Sequence, residues 1–202
     1  MNIIGYKDAD IWKHFKDGEE WALVFIYSEY AEKLYRYGLK FTSEITYIED
    51  SLQDLFAELI KKRKRLGKTD NIFFYLMKSY KRMLLRKIQT EKKFVSKDFF
   101  EKYPFDFTCS IEQQYIMNEI SAHKSKILLK ALNDLTPRQK EAIYLRYTKE
   151  MNYVEIADLM DISLEACRNL ISKAVSILQK LISKENIDSL LLFILLHKKF
   201  QY

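Results

Sequence analysis

Residues 164–178, LEACRNLISKAVSIL, set two kinds of side chain on opposite sides of a helix. Glu165, Arg168, Asn169, Ser172 and Lys173 fall on one side, and Cys167, Leu170, Ile171, Ala174 and Leu178 on the other. Arg, Asn, Ser and Lys are the side chains that hydrogen-bond base edges and phosphates. The preceding residues 153–163, YVEIADLMDIS, read as a shorter helix from Tyr153 to Met160 and a tight corner. Ala157 is small where two helices cross closely, Asp161 is expected in the left-handed conformation, and Ser163 is expected to cap the second helix. A helix-turn-helix presents its second helix to the major groove in this way. A plain helical hairpin with a solvated polar face has the same pattern.

Two further stretches have charges at helical spacing. In IEDSLQDLFAEL (48–59), Asp50, Gln53, Asp54 and Glu58 lie opposite a stripe of Ile48, Leu52, Leu55, Phe56 and Leu59. That is a docking face, or acids placed to suit the helix dipole. In FFYLMKSYKRMLLRKIQ (73–89), Lys78, Lys81, Arg82, Arg86 and Lys87 could track phosphates while neighbouring aromatics stack on unpaired bases. The alternative there is a solvated basic face over a core containing Phe73, Phe74 and Tyr75. No metal or cofactor site can be read. His14, His123 and His197 are scattered, and Cys109 and Cys167 are in no CxxC pair. Paired carboxylates beside a His and a phosphate-cradling Gly loop are also missing, so no catalytic residues are assigned.

The elements that position these residues are helices. The chain has 202 residues with only 4 Gly and 2 Pro, and its long amphipathic segments are rich in Leu, Ile, Lys and Glu, which predicts an all-α fold. Capping boxes are expected at Thr46 with Glu49, Ser110 with Gln113, and Thr136 with Gln139, the last strengthened by Pro137. Asp70 is a fourth expected cap. Helices are expected over 19–41, from Thr46 to a stop at Gly67, and over 71–93. Periodicity fails in EKKFVSKDFFEKYPFDFTCS (91–110), where Pro104 stands among charges and exposed-looking aromatics. The organisation predicted is two helical domains, 1–95 and 110–185, joined by a flexible linker at 96–109 and followed by a tail at 186–202, with a helix-turn-helix in the second domain.

Charged residues are 31% of the chain and hydrophobic ones 48%, with a formal net charge of +6, which fits a globular protein with an anionic partner. The N-terminal residues contain no apolar run of signal-peptide length, and LLLFILL (190–196) is too short to span a bilayer. No stable membrane insertion and a cytoplasmic location are therefore expected.

The block LNDLTPRQKEAIYLRYTKEMNYVEIADLMDIS resembles the promoter-binding module of bacterial RNA polymerase sigma factors, most of all the extracytoplasmic-function group of the sigma-70 family. Leu135, Arg138, Gln139, Leu145, Arg146, Tyr147, Tyr153, Glu155, Ile156 and Ala157 occupy the family's pattern. Residues 48–59 are similar to its polymerase-docking helix, and residues 73–89 resemble the helix that meets the minus-ten promoter element. The resemblance implies that Asp50, Gln53, Asp54 and Glu58 bind polymerase and that Lys78, Lys81, Arg82, Arg86 and Lys87 bind DNA at the minus-ten element. It implies further that Arg138, Glu165, Arg168, Asn169, Ser172 and Lys173 serve the minus-thirty-five element. Many relatives have Gly at Asp161, Arg at Leu170 and an acid near Arg86.

By this resemblance the partners are core RNA polymerase, promoter DNA and an anti-sigma factor, with no cofactor and no catalysis by the chain itself. The competing reading is a stand-alone helix-turn-helix regulator that binds duplex operator DNA. It accounts for residues 136–182 but leaves the acidic and basic helices unexplained.

Overall fold

In a computed structural model, residues 6–91, 103–107 and 131–183 are described. The chain divides into two compact units, Met1–Glu101 and Lys102–Tyr202. Among the described residues the regular structure is helical.

The first unit contains α1 (Asp8–Asp17), α2 (Glu20–Gly38), α3 (Ile45–Lys62) and α4 (Ile72–Glu91). Sequence expectation omitted α1, although its signals are local: Asp8 and Asp10 in the first turn, His14 and Lys16 in the last, and Ile11, Trp12 and Phe15 on one buried face. Gly18 ends the helix at φ 96°, a conformation that a side chain would strain, and its N–H donates back to His14 and Phe15. α1 also ties the unit together over long sequence distances. Asp8 Oδ2 accepts from the Ile72 N–H at 2.7 Å, and Trp12 Nε1 donates to the Gly67 carbonyl at 2.8 Å.

α3 and α4 pack side by side, with α2 against both. Their inward faces bury Ile26, Leu34, Tyr37, Ile48, Leu76, Met77 and Tyr80. Gly38 fits where α2 meets α4, because a Cβ there would run into the Tyr80 hydroxyl and come within 3.1 Å of Ile48 Cγ2.

Several helix ends differ from expectation. α3 starts at Ile45, with Glu44 at its cap and no side-chain capping bond, so Thr46 and Glu49 form no box. It gives way at Lys62 to a 3-10 turn, Arg63–Arg65, rather than continuing to Gly67. Asn71, not Asp70, caps α4, its Oδ1 accepting from the Phe74 N–H at 2.9 Å. Leu52 is half-buried, while Ile48, Leu55, Phe56 and Leu59 are buried as expected. The Ser110 box, Cys109, most of the expected linker and the tail lie outside the described residues.

The second unit contains α5 (Pro137–Tyr147), α6 (Tyr153–Leu159) and α7 (Leu164–Ser183), with α5 and α6 both packed on α7. The Thr136 box forms in full: Thr136 accepts from the Gln139 N–H, Gln139 accepts from the Thr136 N–H, and Pro137 occupies the first turn. α6 has a second box, Asn152 with Glu155, which sequence expectation passed over. Residues 103–107 also belong to this unit. Tyr103, Phe105 and Phe107 are buried, which corrects their reading as exposed aromatics of a connecting segment.

Candidate nucleic-acid and polymerase interfaces

The corner between α6 and α7 is built as its sequence requires. Asp161 has φ 51°, a left-handed value that Asp tolerates better than most residues. The next N–H, from Ile162, then turns back to donate to the Ala157 carbonyl at 3.0 Å, closing the end of α6. Ser163 Oγ accepts from the Ala166 N–H at 3.1 Å and starts α7. Cys167, Ile171, Ala174 and Leu178 face the interior, with Leu170 at its edge. Burial also pushes the Cys167 thiol pKa up, which keeps it a neutral small hydrophobe, while Arg168 pulls it the other way.

Glu165, Arg168, Asn169, Ser172 and Lys173 are all exposed on the opposite face of α7. The structure therefore brings five of the six residues expected at the minus-thirty-five element onto one outward surface. Arg138 is separate. It is half-buried, and its Nη2 donates to the Met160 carbonyl at 3.0 Å, bracing the start of α5 against the corner. Arg146 has a similar part, donating to the Met151 carbonyl at 2.9 Å while its guanidinium lies over the Tyr153 ring.

On α3, Gln53 and Asp54 are exposed. Asp50 accepts from Lys87 Nζ of α4 at 2.9 Å, and Glu58 pairs with Lys62 one turn on. The Asp50 hydrogen bond is the main reason the Lys87 pKa is raised. Two residues expected in different interfaces are thus joined to each other. Beside them, Tyr27 of α2 is 57% exposed, and its ring meets the edge of Phe56 of α3 at 4.8 Å. Val24, one turn earlier, is 58% exposed, and Ile60 on α3 is 42% exposed. Sequence reading missed these three, although apolar residues at i and i+3 outside the buried stripe are a visible signal.

On α4, Arg82 and Arg86 are exposed, and Lys78 and Lys87 are half-buried. Lys81 is only 6% exposed, so its expected part in tracking phosphates is corrected: it belongs to the packed side of the helix. Phe73 stacks on Tyr30, and Tyr75 packs on Trp12, so these half-buried rings are engaged within the unit. A second basic group was missed at the turn after α3, where Lys61, Lys62, Lys64, Arg65 and Lys68 are exposed. KKRKRLGK shows this density plainly within the stretch expected to continue the helix to Gly67. No group of His, Cys, Asp or Glu among the described residues could hold a metal ion, and no described helix is long and apolar enough to cross a membrane.

Comparison with known proteins agrees with this geometry. Residues 125–178, which include all of α5 and α6 and most of α7, match the family described as Sigma-70, region 4. The fold is shared with solved structures of low sequence identity. The sigma factor RpoE, solved with the anti-sigma factor NepR from Bartonella quintana, superposes with a TM-score of 0.54 at 19% identity, covering 85% of this chain and 98% of that one. CnrH, solved with the cytosolic domain of CnrY, gives 0.56 at 16% identity, covering 89% and 99%. No curated protein sequence matches the chain significantly.

Proposed function

We propose that this chain, a member of the sigma-70 family, is a sigma factor of the extracytoplasmic-function group: it binds core RNA polymerase, brings it to promoters and promotes their opening. The observation that carries the reading is the exposed face of α7, with Arg168, Asn169, Ser172 and Lys173 set on a helix-turn-helix inside the region 4 match. Region 4 then reads duplex DNA at the minus-thirty-five element through base edges and phosphates.

In the first unit, Arg82 and Arg86 with the cations at 61–68 supply an anion-attracting surface for the minus-ten region. Opening DNA costs a few kcal/mol per unstacked base, and binding at both units offsets it. Polymerase docking falls to Gln53 and Asp54 on α3, with the exposed rings and methyls of Tyr27, Val24 and Ile60 adding apolar contact. Asp50 and Glu58 contribute after exchanging their lysine partners; until then the Asp50–Lys87 pair holds α3 and α4 in register, while the Glu58–Lys62 pair lies within α3. The chemistry of RNA synthesis belongs to the polymerase, and the chain works in the cytoplasm as a binding protein. The two solved neighbours were captured with NepR, an anti-sigma factor, and with CnrY, so an inhibitor of that kind is the expected third partner here.

A direct test is capture of core polymerase by the purified chain. The wild type is expected to form a stable complex, and Gln53→Ala with Asp54→Ala is expected to weaken it at least tenfold without shifting the melting temperature. Unchanged affinity would remove α3 as the docking helix. Tight duplex binding by a chain that ignores polymerase would favour the operator-binding regulator.

A further inference from the structure

The turn after α3, residues 63–71, carries Lys64, Arg65 and Lys68 exposed on a backbone with little packing of its own. Gly67 is exposed as well, and a Cβ added there would meet no atom within 4 Å. Like charges this close repel one another. A turn of this composition, left to itself, would spread over many conformations.

α1 reaches this turn at its start, middle and end. The Arg63 guanidinium lies against Gly18 at the C-terminal end of α1, where a Cβ would come within 3.3 Å of its Nη2 and where the helix dipole favours a cation. Trp12, 1% exposed, donates from Nε1 to the Gly67 carbonyl at 2.8 Å. Asp8 Oδ2 accepts at 2.7 Å from the N–H of Ile72, the first residue of α4. Thr69 then closes the turn on itself: its hydroxyl donates to the Asn71 carbonyl at 3.0 Å and accepts from the Asn71 N–H at 3.2 Å. A buried indole N–H needs an acceptor. Here that acceptor stands in the middle of the cationic run, not in the apolar core.

We propose that Trp12 is a positioning residue for promoter opening: by fixing the Gly67 carbonyl it presets Lys64, Arg65 and Lys68 to grip phosphates of the separating DNA strands. The proposal rests on the sigma-factor reading above, and it adds α1 to the parts that serve DNA. A turn ordered before it meets DNA loses its conformational entropy on folding rather than on binding. Cations held at fixed spacing also engage neighbouring phosphates together, and each contact releases counterions.

The test follows promoter opening by the reactivity of unpaired thymines to permanganate, on a promoter that the holoenzyme selects from a random library. Opening is measured on preformed holoenzyme–promoter complexes, so loss of folded chain cancels. Trp12→Phe keeps an aromatic ring against Phe15 and Tyr75 and deletes the N–H. It is expected to lower the opening constant about fivefold, the net contribution of one neutral hydrogen bond. Replacing Lys64, Arg65 and Lys68 together by Gln is expected to lower it at least tenfold and to reduce the salt slope by about two. In that background Trp12→Phe is expected to change nothing further, because the indole acts through these cations. The near-isosteric Thr69→Val is expected to follow the same pattern in both backgrounds, and it decides by the same criteria where Trp12→Phe yields no holoenzyme. A loss of equal size with and without the cations would make Trp12 a structural residue only and overturn the proposal, as would wild-type opening by Trp12→Phe. Wild-type opening after the three Gln replacements would overturn it too, while leaving the sigma-factor reading intact. A wild-type chain that opens no promoter would instead fail the sigma-factor reading itself, and this proposal with it.

Discussion

Arg138 separates bracing from DNA contact. Its guanidinium is half-buried and donates to the Met160 carbonyl at 3.0 Å, one residue before the left-handed Asp161. Arg138→Ala removes a hydrogen bond from a charged donor, worth about 1.5–3 kcal/mol when protected, and the partial exposure here favours the lower figure. A loss of about 1.5 kcal/mol in a unit of this size lowers its melting temperature by roughly 6–12 °C. Arg168 is exposed on α7, so Arg168→Ala is expected to leave the melting temperature unchanged. Calorimetry of the full chain reads the first quantity, and promoter binding by the holoenzyme across a salt series reads the second. Arg138→Ala is expected to keep the wild-type salt slope, its affinity loss following the fraction unfolded. Arg168→Ala is expected to cost about 1–3 kcal/mol at the minus-thirty-five element if it reads a base, or to reduce the slope by about one if it meets a phosphate. An Arg138→Ala chain that melts with the wild type and loses one unit of salt slope would refute the bracing argument and return Arg138 to the DNA-contact surface.

Gly38→Ala is expected to destabilise the first unit by about 1–3 kcal/mol in denaturant titration, because its Cβ meets the Tyr80 hydroxyl, whereas Gly67→Ala enters open space and has no such clash. Burial, reinforced by Asp8, raises the Tyr30 pKa to about 12, so the folded chain keeps a proton that the unfolded chain sheds near pH 10. Stability is then fully present below about pH 10 and falls as pH rises toward 12, by about 2–3 kcal/mol, and Tyr30→Phe is expected to flatten that part of the curve. In a Cys109→Ala background, Cys167 is expected to resist alkylation until the chain is unfolded, since its side chain is buried and its pKa raised; rapid labelling of the native protein would contradict the packing of α7.

The parts of this fold that could be read in advance were those specified by short-range chemistry. Asp161, Ser163 and the alternation of Cys167, Ile171 and Ala174 with Arg168, Asn169 and Lys173 define a corner and a two-faced helix within twenty residues. Thr136, Pro137 and Gln139 do the same for α5. Some of what escaped was local, such as the first turn of α1 and the Asn152–Glu155 box, and the rest depends on partners distant in sequence. Asp8 acts on Ile72, Trp12 on Gly67 and Tyr103 on Glu141, none of which a local window can pair. Lys81 looked like its basic neighbours because periodicity places a residue on a face only to within the width of that face. The aromatics of YPFDF did show a period of two, but a short segment lying on a helix has no ladder and no length to announce it.

The measurement closest to the central claim is promoter-dependent transcription by core RNA polymerase reconstituted with the purified chain. Discrete run-off transcripts that require the chain are expected, and they are expected to be lost when Arg168, Asn169 and Lys173 are together replaced by Ala. A chain that binds duplex DNA alone, yet leaves polymerase without a specific start, would contradict that claim.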